Sequence, residues 1–174
     1  MKKAFALVLA AALSLMVLTG CGGKPQSTVS SDAQSVAGDT AETYDLAGLV
    51  TAVEQANPVS NPRDVDDNDI KLAMLMTAEN IAAYSGKISN DQGNSALILA
   101  IQAVEGKAAD VKAELEAYKS SISAGGMYAE FAEMEEKARD ARIVVKGDCL
   151  MLVVANTEGA DYAEIDKAID AALK

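Results

Sequence analysis

The 174-residue chain has no histidine, no tryptophan, two cysteines and three prolines. Without histidine there is no imidazole base, no Ser-His-Asp or Cys-His nucleophile pair and no imidazole metal ligand. Neither a GxSxG elbow nor a Walker loop nor a CxxC pair occurs, and Gly22-Gly23 and Gly125-Gly126 precede no phosphate-binding pattern. Downstream of residue 18 the longest apolar run, Cys149 to Ala155, has seven residues, against the roughly twenty needed to cross a bilayer as a helix. Positive charge is scarce too: 15 Lys and Arg face 26 Asp and Glu, a net charge of −11. A body this acidic is repelled by nucleic acid and by anionic lipid, so neither is an expected partner.

The amino end carries the clearest signal. Met1-Lys2-Lys3 is followed by Ala4 to Leu18, in which Ser14 is the only polar side chain. A cationic head before a short apolar run is the pattern of a secretory signal, assigned here to residues 1–20. Leu18-Thr19-Gly20-Cys21 resembles the bacterial lipobox, in which the signal is cut between Gly20 and Cys21 and the cysteine receives diacylglycerol. That resemblance implies a mature chain that begins at Cys21 with 13 basic and 26 acidic side chains, net −13. Two acyl chains suffice for stable anchoring, so the expected address is the extracytoplasmic face of the cell membrane. Residues 21–43 hold the lipidated cysteine and a stretch rich in Gly, Ser, Thr, Asp and Gln, with too little apolar surface to offset ordering. As a flexible tether it reaches roughly 25 Å.

Residues 44–174 are expected to form one α+β domain. Leu46, Leu49, Val50 and Val53 recur at helical spacing until Asn57-Pro58. Val59 to Pro62 reads as a loop, and Asp64 to Asp69 as a cap for a short helix over Ile70 to Met76. Thr77 to Ser89 is ambiguous between helix and strand, with strand favoured in its second half. Asn90 to Asn94 makes a hairpin loop before a buried strand over Ala96 to Val104. Val111, Leu115, Tyr118 and Ile122 mark a helix stripe broken at Ser123 to Gly126, and Met127, Phe131, Met134 and Ala138 a second. Arg142 to Lys146 and Cys149 to Val154 flank Gly147-Asp148, a two-residue type II′ loop. Alternation then puts Ile143, Val145, Leu150, Leu152 and Val154 on a core face, and Arg142, Val144, Lys146, Cys149, Met151 and Val153 on a mixed one. Asp161 and Glu164 form a capping box for a last helix with Tyr162, Ile165, Ile169 and Leu173 on one stripe. The resulting order, α-(α)-ββ-αα-ββ-α, predicts a small antiparallel sheet of two hairpins with helices packed on it.

With the lipobox, the tether, the hairpin over Arg142 to Ala155 (RIVVKGDCLMLVVA) and the closing Ile165 to Leu173 (IDKAIDAAL), the chain is similar to small lipoproteins of Gram-positive-type bacteria that form a family of unknown function. The resemblance implies a fold and an address, and brings no catalytic residue.

Three constellations are candidates for chemistry. Asp64, Asp66 and Asn68 sit at the first, third and fifth positions of a calcium-loop pattern, but Asp69 stands where glycine is required and Leu75 where a bidentate glutamate is required, which rejects an EF-hand. They remain weak cation ligands beside a helix-capping role. Glu130, Glu133, Glu135 and Glu136 crowd one helix without a second carboxylate helix, a poor di-metal arrangement. Cys149 is the thiol left once Cys21 is acylated; beside Lys146 it is either a reactive thiol or an inert core residue. No catalytic residue, cofactor or firm metal site is assigned. The expected function is a non-enzymatic binding module at the cell envelope, with an envelope protein or small ligand as partner. The alternatives are a small hydrolase using Asp66 with Asp69 for acid/base work, and a solute-binding accessory lipoprotein, for which one domain is small.

Overall fold

The computed structural model describes residues 43–174 apart from residue 127. The signal, the Gly20/Cys21 junction and the tether lie outside the described residues, and so does Met127.

The first helix, α1 (Leu46–Glu54), starts where the Asp45 side chain accepts a hydrogen bond from the Gly48 amide at 2.9 Å, the usual satisfaction of a free helix-end donor. A short strand β1 (Pro62–Asp64) follows, then a wide helical turn over Asp69–Ala73 with the Met74 amide bonded back to the Asp69 carbonyl. The next strands are β2 (Ile81–Ser89) and β3 (Leu97–Ala103), succeeded by α2 (Ala108–Ser123) and α3 (Ala132–Arg139). The hairpin β4 (Arg142–Lys146) and β5 (Cys149–Val154) leads to the closing helix α4 (Tyr162–Ala172). The strands form one antiparallel sheet in the order β1-β2-β3-β5-β4. The fold is the expected α+β class, with a fifth strand over Pro62–Asp64, where the expected loop runs into the expected helix cap, and with strand over all of Ile81–Ser89.

The β4–β5 register follows the two-residue loop, with Lys146 opposite Cys149 and Ile143 opposite Leu152. Gly147 takes φ 57°, which glycine adopts without steric cost. Asp161 caps α4 through the Ala163 amide, but Glu164 pairs with Lys167 at 2.7 Å, so the expected capping box is half formed.

Two corrections concern burial. The second face of β5 is not mixed: Cys149, Met151 and Val153 are as fully buried as Leu150, Leu152 and Val154. Helices cover both faces of the sheet, α2 and α3 one and α1 and α4 the other, so the middle strands β3 and β5 are dry on both sides. A continuous apolar strand such as CLMLVV is the signature of that arrangement. Val145, placed in the core by alternation, is 40% exposed because it lies on edge strand β4 next to the turn.

Candidate functional site

A concavity that combines apolar walls with convergent polar groups opens on the face covered by α2 and α3. The stripe on α2 explains it. Val111 and Leu115 are fully buried against the sheet, whereas Tyr118 and Ile122, one and two turns further on, are only partly covered. A cleft of about 390 Å³ lies there. Ile88, Leu97 and Val154 supply its sheet side, and Tyr118, Ile122 and Met134 its helix side. Neutral amides and hydroxyls of the β2–β3 loop, among them Asn90, Gln92 and Ser95, contribute the polar rim together with Arg63 and Asp91. An apolar interior with a few polar groups at the mouth is the common form of a small-molecule site.

One ion pair neutralises the only cation on the rim of the cleft among the described residues, beside the Asp91 carboxylate. The Arg63 guanidinium grips Asp69 with both nitrogens, at 2.5 and 2.7 Å, and the Asp69 carboxylate also accepts the Asp66 amide at 2.9 Å. Arg63 holds the Asp69 carboxyl below the usual carboxylate range, and the pair raises Arg63 in turn. The Tyr118 phenol is pushed up, chiefly by burial and then by the Asp69 charge. The charge that Arg63 brings to the rim is thus balanced within the fold.

The structure disperses the sequence candidates. Asp66 accepts the amides of Asn68 at 2.8 Å and Asp69 at 3.0 Å, so its carboxylate terminates backbone. Among the described residues no three His, Cys, Asp or Glu side chains are placed to hold a metal ion. Asp66 and Asp69 meet through each other's backbone, and a carboxyl pulled down by Arg63 is a poor proton donor for the hydrolase reading. Glu135 accepts the Gly126 amide at 3.1 Å and so ties α3 to the end of α2, while Glu130, Glu133 and Glu136 are exposed. Cys149 is fully buried in the core beneath α1 and α4. Burial pushes its thiol up, against an opposing pull from Lys146, and the Lys146 ammonium is engaged by the Leu173 and Lys174 carbonyls at the end of α4. Burial and a raised pKa favour the inert core residue over the reactive thiol, because reactivity requires a lowered pKa and access.

Sequence reasoning missed Arg63 and gave Tyr118 only a core role. Arg63 sits in a segment without periodicity, and nothing local announces that it closes on Asp69. A second omission is structural: Asn57 donates to the Val154 carbonyl at 2.9 Å and accepts the Asn156 amide at 2.8 Å, while the Asn156 side chain donates to the Pro58 carbonyl at 2.8 Å. This buried clasp fixes the end of α1 to the end of β5.

A larger trough of about 880 Å³ runs between α1 and α4, but alanines, other small residues and charged or amide side chains line it, without one aromatic or large aliphatic group. It offers little apolar surface to grip a ligand.

A family model described as a domain of unknown function, DUF4358, matches residues 55–173. The chain belongs to the DUF4358 family. The matched stretch contains the whole sheet, both walls of the cleft and the Arg63–Asp69 pair; the DUF4358 match begins just after α1. No curated protein and no solved structure matches the chain significantly.

Proposed function

We propose that this DUF4358 protein is a lipoprotein of the bacterial cell envelope, anchored through diacylglycerol on Cys21, that works without catalysis as a binding module. Its ligand is a small uncharged molecule with an apolar body and a hydrogen-bonding head, seated in the cleft beside α2 and α3. One observation carries the ligand class: the cleft has apolar walls and a rim of amides and hydroxyls in which the Arg63 guanidinium is already neutralised by Asp69, so that the Asp91 carboxylate, which accepts the Asn61 side-chain amide, is the charge left to repel an anion. An anionic ligand would have to break that pair, and an anchored chain with a cleft on its body fits a receptor or carrier better than a hydrolase, whose carboxylate pair is committed to capping and to Arg63. The lipobox supports the address, and no described helix is long and apolar enough to cross a membrane.

The two halves of the proposal are tested separately. Mass spectrometry of the protein in the membrane fraction is expected to show an amino end at Cys21 that carries diacylglycerol; residue 1 still present, or a bare Cys21 thiol, sinks the anchor. Purified mature chain is expected to enhance and blue-shift the fluorescence of N-phenyl-1-naphthylamine, an uncharged apolar probe. The response should be lost in Ile122→Trp, which fills the cleft. No response, or one untouched by Ile122→Trp, sinks the ligand site.

A further inference from the structure

Strand β1 covers only the last part of β2. It pairs opposite Lys87, Ile88 and Ser89, the Val65 amide then donates to the Gly86 carbonyl at 2.9 Å, and the chain turns away. From Ile81 to Ser85, β2 has β3 on one side and no strand on the other among the described residues. Proteins guard such edges with charge or proline, since bare backbone amides and carbonyls recruit another strand. The other two edges here are guarded: β1 is Pro62-Arg63-Asp64, and β4 carries Arg142 and Lys146 at its ends. The open stretch, Ile81-Ala82-Ala83-Tyr84-Ser85, has neither.

The space beside it is shaped. A slot of about 380 Å³ lies between Ile81 to Tyr84 and the turn that carries Asp67, Ile70 and Lys71. The Tyr84 hydroxyl donates across it to Asp67 at 2.6 Å. The same turn exposes Leu72 at 71% and Leu75 at 77%, and Leu75 is held at φ 55°. A bulky side chain in left-handed backbone is strained, and this one gains no burial in return. Two exposed acids bracket the open stretch: Asp64 stands opposite Lys87 at one end, and Glu79 lies two residues before Ile81 at the other. Neither makes an ion pair among the described residues.

We infer that this edge receives a sixth strand from a partner protein. The strand is an extended, uncharged, β-prone segment flanked at both ends by lysine or arginine. It runs antiparallel to β2 in the track that β1 leaves at Val65, with its side chains over Leu72 and Leu75. Main-chain hydrogen bonds supply affinity and the bracketing acids supply register, as in other strand-addition complexes. A second copy is the weaker occupant, because two-fold pairing of β2 edges would bring the Asp64 end of one chain against the Glu79 end of the other.

The test uses the mature chain and a labelled synthetic peptide of alternating valine and threonine with a lysine at each end. Counterparts carry glutamate ends or a central proline. Expected are saturable binding with slowed amide exchange confined to residues 81–86, binding roughly tenfold or more weaker for the glutamate-ended peptide, and none for the proline peptide. Ala82→Lys should weaken binding by a similar factor with an unchanged melting temperature. If that variant does not fold, Leu72→Ser, at a largely exposed position, serves instead. Absence of binding, equal binding of all three peptides, or protection elsewhere overturns the inference. So does concentration-dependent dimerisation abolished by Ala82→Lys, which would assign the edge to a second copy.

Discussion

Leu75 combines a left-handed backbone with an exposed side chain, so asparagine there should cost no packing and relieve strain. Leu75→Asn is expected to raise stability by about 1 kcal/mol in urea denaturation; a loss would mean that the turn is relaxed with leucine in place. Asn57 is the opposite case. Removing its amide orphans the Val154 carbonyl and the Asn156 amide inside the protein, and each buried unsatisfied group costs about 1–3 kcal/mol. Asn57→Ala should therefore cost about 2–6 kcal/mol, read from the shift in denaturation midpoint. Single residues were also where the sequence was least legible. Asn57 before Pro58 reads as a helix terminator, and its partners lie about a hundred positions away in the chain. Cys149 and Lys146 were correctly placed as neighbours by the two-residue loop, yet only the covering helices decide whether that thiol meets water.

Among the elements, what is local was readable. The β4–β5 hairpin follows from Gly147-Asp148, and α2 from its stripe, because both signals arise within a few residues of each other. β1 was missed because three residues on an edge, beginning with proline, carry no periodicity. The burial of both faces of β5 is not legible from alternation, because in a run where every side chain is apolar the pattern does not distinguish one face from the other. Those two readings of β5 differ in their mutational cost. Met151→Ala is expected to cost about 2–5 kcal/mol, as a methionine truncated in a packed core does, whereas Val145→Ala on the exposed part of β4 should cost less than about 1 kcal/mol. Similar costs at the two positions would restore the one-faced hairpin. The cleft itself was not legible, since it forms where α2 diverges from strands distant in the chain.

For the molecule as a whole, the Arg63–Asp69 pair couples stability to pH. A carboxyl whose folded pKa is depressed contributes stability that is fully present above its unfolded pKa of about 4, and that contribution is lost as pH falls through the folded value. Asp69 is such a group, and Asp67 is also lowered, by the Lys71 and Tyr84 hydrogen bonds. Stability should accordingly decline below about pH 4. In Arg63→Gln the decline should start at the same unfolded value but end at a higher pH and be smaller in total, as measured by melting temperature across roughly pH 2 to 6. An unchanged acid limb would show that the pair is not the main proton-linked contact. The two dry strands at the centre bear on how the protein melts. Because β3 and β5 line both cores at once, losing either helix layer floods a surface that the other layer shares. The halves cannot come apart in sequence at low cost, so denaturation should be a single cooperative event, with the amides of those strands the slowest to exchange.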